Sequence, residues 1–183
     1  MAIRPAYFLN LKYLQQGNER QRNAYRIIQQ LELWETLRPY NPVLAGTIPI
    51  EIDIPESDLD ILCCVNDFDS FSTIIETRYV HLEDYTLENG LIRGTSFLAI
   101  SFKFHSVPIE IFAQNKPTDE QDAFRHLLIE DHLLQENGKE FMQSVIDLKR
   151  NGIKTEPAFA RLIGMKGDPY LELLKLEELY RSD

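Results

Sequence analysis

Two carboxylates at a strand's opening and a glycine turn just before them are the residues of this chain best placed to do chemistry. Asp58 and Asp60 stand in Ser57-Asp58-Leu59-Asp60, where an apolar run begins that reads as a strand. Side chains alternate along a strand, so the two acids share one face, roughly 6.5–7 Å apart along the backbone. Leu59 and Ile61 face the other way, into a core, and set the register. Two like charges at the start of a buried strand are unfavourable unless something positive lies between them. The pattern therefore asks for a divalent cation. Upstream, the short apolar strand Val43-Leu44-Ala45 ends in Gly46-Thr47. A glycine there lets the backbone approach a phosphate, and the next N–H and hydroxyl can donate to it. Taken alone, such a pair is usually only a turn.

Taken together, Gly46-Thr47, a nine-residue loop and Ser57-Asp58-Leu59-Asp60 resemble the signature of the nucleotidyltransferase superfamily, the polymerase-beta-like fold. That signature ends with a third acid on a later strand. Glu110, set among apolar residues in Val107-Pro108-Ile109-Glu110-Ile111-Phe112, is the matching position, although Pro108 marks its strand as an edge or a bulge. The resemblance spans residues 42–113 and is to a bacterial branch of that superfamily, a domain-of-unknown-function family; the last third of the chain resembles it only loosely. It implies transfer of a nucleoside monophosphate from a nucleoside triphosphate to a hydroxyl acceptor, with release of pyrophosphate. Mg2+ (or Mn2+) would be held by Asp58, Asp60 and Glu110, and Gly46, Thr47 and Ser57 would hold phosphate oxygens. A second reading, from another functional class, is a catalytically silent module of the same fold that binds a nucleotide or a protein partner.

The elements that must position these groups follow from periodicity. Residues 6–14 read as a short helix, and Asn18 with Gln21 as a capping box opening a helix to about Leu37, ended by Pro39. Ile48–Glu56 alternates apolar and acidic residues and reads as a small hairpin arm, with Glu51, Asp53 and Glu56 exposed. After the Asp58–Val65 strand, Asp67 or Asp69 caps a helix through Phe71 and Ile75. Tyr79–Thr86 and Leu91–His105 then form strands about a turn at Glu88-Asn89-Gly90, Asn-Gly being a strong hairpin signal. Beyond Gln114 the period changes to that of helices. These comprise one from a Thr118/Gln121 capping box to Gly138, one over Lys139–Arg150, one from Thr155, and one from Asp168-Pro169 with Leu171, Leu174 and Leu179 buried. The fold class is α+β, a mixed sheet of four or five strands flanked by helices. Residues 1–115 form the core and 116–183 a C-terminal helical segment packed on or beside it.

Other constellations carry less. Lys103 projects from the strand beside Glu110 and can reach a nucleotide, though pairing with a cross-strand acid is an equal reading. Arg125 and His126 lie on the helix after residue 118 and can meet phosphate from the cleft. His126, Glu130 and His132 lack the His-Glu-x-x-His spacing of a zinc helix and read as a solvated face. Arg22 and Arg26 read as solvated charge.

Composition limits the rest. The 183 residues, 44% hydrophobic and 26% charged, suit one globular unit or one with a helical annex. A net charge of -10 argues against an extended nucleic-acid acceptor, because phosphate binding needs lysine and arginine. The partners expected are a nucleoside triphosphate and an acceptor the sequence does not name. The first residues hold no unbroken apolar stretch, so no signal peptide or membrane span is expected. Adjacent Cys63 and Cys64 are poorly placed to pair with each other, which fits a reducing cytoplasm.

Overall fold

A computed structural model describes residues 3–180. Helices α1 (Pro5–Phe8), α2 (Lys12–Gln16), α3 (Glu19–Gln30) and α4 (Leu33–Leu37) precede strands β1 (Val43–Ala45) and β2 (Leu59–Cys64). Helix α5 (Phe68–Tyr79) leads to β3 (Glu83–Ile92), β4 (Thr95–Phe104) and β5 (Val107–Gln114). Helices α6 (Asp122–Arg150), α7 (Thr155–Leu162), α8 (Pro169–Lys175) and α9 (Glu177–Tyr180) follow. The five strands form one mixed sheet in the order β1-β2-β5-β4-β3. Strands β2 and β5 are parallel and sit together in its middle, and the other pairs are antiparallel.

Alternation divides the sheet into two faces. Leu59, Ile61 and Cys63 of β2, Ile109, Ile111 and Ala113 of β5, and Leu98, Ile100 and Phe102 of β4 are all buried. Helix α5 covers this face with Phe71, Ile75 and Tyr79, the last stacked on Phe102 at 5.3 Å. Asp67 caps α5 as the sequence implies, its carboxylate accepting from the Ser70 N–H at 3.0 Å. On the opposite face Asp60, Leu62, Glu110 and Phe112 look into a cleft walled by α6 and α7. One buried cluster runs from the N-terminal helices through the sheet to α6, α7 and α8. Among the described residues no helix is long and apolar enough to cross a membrane.

Several elements depart from the sequence expectation. The Asn18/Gln21 capping box is present, but the helix stops at Gln30 because Glu32 takes a left-handed conformation (φ 53°), and a new turn buries both Leu33 and Leu37. Residues 48–56 are not a hairpin arm: Ile48, Ile50 and Ile52 all point into the core, and a turn closes with the Ile52 N–H donating to Thr47 O. The side chain of Gln21 donates to the carbonyls of Ile48 and Pro49. The hairpin does not turn at Asn89-Gly90, which lies within β3 opposite Leu98 and Phe97. The turn is Arg93-Gly94, both at positive φ (49° and 81°), as a two-residue type I′ connection requires. Gly90 serves packing instead, since a Cβ there would stand 2.9 Å from the Phe97 ring.

In the C-terminal part, Thr118–Glu120 is a 3₁₀ turn and not the start of a helix. Gln121 is buried there, its side chain donating to the carbonyls of Cys63 and Lys116. The expected break at Gly138 is seen as a non-helical residue (φ 75°) within α6. Asp168 caps α8 by accepting from the Tyr170 N–H at 3.0 Å. The buried leucines of that helix are Leu173 and Leu174, while Leu171 and Leu179 are exposed; a helix this short turns whichever side α6 and α7 cover.

Candidate active site

The site begins where β1 ends. Ala45 is the register partner of Asp60, and the chain reverses at Gly46 with φ 72°. A Cβ on Gly46 would stand 2.0 Å from Oδ2 of Asp60, so the carboxyl lies across the turn in space only glycine leaves free. Asp60 is in turn the direct partner of Glu110 on the parallel neighbour β5. Both side chains therefore leave the same face, and Asp58, just ahead of β2, lines the same cleft. The three acids expected to converge do face one space of about 620 Å³, within the usual range for a small-molecule site.

The loop into Asp58 is held from several sides. The Ser57 hydroxyl accepts from the Ile54 N–H at 3.0 Å and from the Thr47 hydroxyl at 3.2 Å. Arg20 donates to Ser57 O at 2.6 Å and stands 3.7 Å from Asp53. Lys149, buried near the end of α6, donates to Ile52 O at 2.7 Å. Gly46, Thr47 and Ser57 thus form one rim of the cleft.

Electrostatics shows what the acids lack. Burial pushes the Asp60 carboxyl up to about 8; Asp58, Glu110 and Glu156 add to the rise and Lys149 opposes it. The carboxyl keeps a narrow window onto the cleft while protein surrounds its other sides. Glu110 is raised by burial and then by Asp58 and Glu88. Such acids are stable as anions only beside a compensating charge. Oxygen donors of this kind fit a hard divalent cation. The match is in donor type and placement alone: among the described residues no three His, Cys, Asp or Glu side chains already stand in ligating positions, and the carboxylates must rotate to share an ion.

Sequence reasoning missed the far wall. Glu130 of α6 and Glu156 of α7 line the cleft with Lys149 and Lys154. Burial, then Glu156, raises Glu130 well above the usual carboxylate range, against the pull of Lys149; burial lowers Lys149 against Glu130 and Asp53. The reading of His126, Glu130 and His132 as a solvated face is wrong, since all three are buried. His126 and Glu130 line the cleft, while the His132 ring packs tilted against Tyr180 at 3.8 Å. The apolar residues on both sides of Glu130 (Leu127, Leu128, Ile129, Leu133) were a usable signal; nothing local marked Lys149.

Lys103 and Arg125 are not brought to the cleft. Lys103 pairs with Asp84 at 2.6 Å, the cross-strand alternative, and Arg125 with Glu177 at 2.6 Å and Asp122 at 3.5 Å. Arg22 and Arg26, on the exposed side of α3, bond to the backbone carbonyls of Gly17 and Arg22.

The architecture defines the fold: the chain has the nucleotidyltransferase fold. It superposes on the GLD-2/RNP-8 complex with a TM-score of 0.53 at 12% identity, over 90% of this chain and 62% of that one. The Cid1 poly(U) polymerase with Mg 3'-dATP bound gives 0.53 at 11% identity, covering 89% of this chain and 52% of that one. The polymerase core of TRAMP, an RNA surveillance complex, gives 0.51 at 10%, covering 87% and 49%. The chain thus spans about half to three-fifths of those chains. Residues 26–176 match the family described as Domain of unknown function (DUF4269), and the chain belongs to that family. No curated protein matches it by sequence.

Proposed function

We propose that the chain is a metal-dependent nucleotidyltransferase that moves a nucleoside monophosphate from a nucleoside triphosphate to a hydroxyl acceptor. The observation that carries this reading is the pairing of Asp60 with Glu110 across adjacent parallel strands, both facing one cleft with Asp58 and the Gly46 turn. Asp58, Asp60 and Glu110 would hold Mg2+ or Mn2+, which would supply Lewis-acid neutralisation of the phosphates and lower the pKa of the acceptor hydroxyl. Gly46 and Thr47 present backbone donors to phosphate oxygens, and Ser57, whose hydroxyl accepts from Ile54 N–H and Thr47, keeps its own proton for them. Lys149 and Lys154 bring positive charge to the opposite side.

In the transfer, the acceptor oxygen bonds to the α-phosphorus as the bond from that phosphorus to the β-phosphate oxygen breaks. Pyrophosphate leaves with the electron pair, and the hydroxyl proton passes to a carboxylate of the cleft. The protein's share is positioning and charge compensation. Incubation with triphosphates labelled at the α-phosphate and Mg2+ or Mn2+ tests the reading: labelled product and pyrophosphate should form, and both should vanish in Asp60→Asn. Metal-dependent triphosphate binding without turnover on any acceptor would favour the silent module.

A further inference from the structure

Two carboxylates on the far wall have no task in the transfer as described. Glu130 is only 4% exposed, lines the cleft, and has neither a hydrogen bond nor an ion pair of its side chain among the described residues. Glu156 stands 3.6 Å from Nδ1 of His126, beyond hydrogen-bond length. Nε2 of that ring lies 2.8 Å from the carbonyl oxygen of Tyr170. A carbonyl only accepts, so Nε2 donates to it, and Glu156 is left without a hydrogen bond from Nδ1 at that distance. Among the described residues, both acids thus border the cleft without accepting a hydrogen bond. Lys149 is the cation closest in influence to Glu130, and one of its N–H groups is committed to Ile52 O.

Charge points the same way. Glu56, Asp58, Asp60, Glu110, Glu130 and Glu156 line the cleft against Lys149 and Lys154. Two divalent cations about balance a bound triphosphate, so the surplus of acids stays unmet. We propose that this wall is the acceptor subsite and that the acceptor is a small amine-bearing alcohol, its ammonium seated between Glu130 and Glu156 and its hydroxyl turned to the acids of the sheet. The inference rests on the nucleotidyl-transfer reading. An ammonium supplies three donors, and a charge beyond that of Lys149, to two carboxylates that accept no hydrogen bond from the described residues. An RNA end would instead bring phosphates against carboxylates, on a protein of net charge -10. The ammonium is a handle only: it neither gains nor loses a bond in the transfer.

The test uses the full chain with Mn2+, each triphosphate labelled at the α-phosphate, and three acceptors: glucosamine, its neutral counterpart glucose, and an RNA oligonucleotide. Glucosamine should be labelled about tenfold more efficiently than glucose, with the RNA unlabelled. Glu130→Gln and, separately, Glu156→Gln should erase that preference chiefly by raising KM for glucosamine. Two variants keep the test sound should one misfold. Calorimetry of glucosamine on the complex with Mn2+ and a non-hydrolysable triphosphate reads the same site without turnover. Equal use of glucose and glucosamine, preference for the RNA, or a preference that survives both substitutions overturns the proposal. So does a wall that binds manganese through Glu130 in place of the amine. Failure to bind Mn2+–triphosphate overturns the transfer reading itself; triphosphate binding without amine preference overturns only the acceptor assignment.

Discussion

Replacing Asp60 by asparagine should make the metal-free protein more stable while abolishing its chemistry. The Asp60 carboxyl is raised from 3.8 to about 8 by burial and by Asp58, Glu110 and Glu156. For an acid raised in the folded state, folded and unfolded chains are equally protonated below about pH 4. As pH climbs toward 8 the unfolded chain sheds its proton and the folded one resists, so stability falls across that window and levels off above it. Taken whole, the shift corresponds to on the order of 5 kcal/mol. Cleft water reaches the carboxyl and neighbouring acids share the proton, which brings the expected gain for Asp60→Asn near pH 8 to about 1–3 kcal/mol. For a chain of this length that is a rise in melting temperature of roughly 3–10 °C. The assay is thermal unfolding in EDTA at about pH 5 and pH 8, repeated with millimolar Mg2+ or Mn2+. The gain should be largest at the higher pH, and metal should stabilise the wild type but not the variant. A variant no more stable than wild type at pH 8, or stabilised equally at both pH values, would refute the argument.

Four further outcomes follow from the same geometry. Gly46→Ala should lose about 1–3 kcal/mol in denaturant unfolding, because φ 72° is strained for alanine and its Cβ would meet Asp60 Oδ2; turnover should fall with it, and unaltered stability would contradict the placement. Lys149→Met leaves Ile52 O without its donor and Glu130 uncompensated, so stability should drop by about 1–3 kcal/mol and triphosphate affinity, by calorimetry, about tenfold. Lys103→Ala, which removes only the exposed pair with Asp84, should leave triphosphate affinity within about twofold; a large loss would place this lysine at the substrate. Asp168→Ala removes the cap of α8 and should lower stability by about 1 kcal/mol in urea titration.

What the residues disclosed depended on whether the controlling physics was local. Strand alternation sufficed to put Asp58 and Asp60 on one face and to orient Glu110, and the apolar partners Leu59, Ile61 and Ile109 left no other register. Alternation also marked Ile48, Ile50 and Ile52, but it says that one side is buried, not against what, so a core plug read as a hairpin arm. Asn89-Gly90 carried the stronger turn signal, and Arg93-Gly94 took the turn because Gly90 was needed flat against Phe97. Glu130, Glu156 and Lys149 meet across α6 and α7 only after the helices fold over the sheet. No spacing in the chain encodes that encounter.

The residues between Gly46 and Asp58 carry one more consequence. Three isoleucines plugged into the interior, the amide of Gln21 beneath, and Lys149 gripping a backbone oxygen make this rim a fixed sill, unable to swing as a lid. The amides of Glu51, Ile52 and Ile54, each donating to a partner within this segment, should therefore exchange slowly with solvent, with or without a ligand in the cleft.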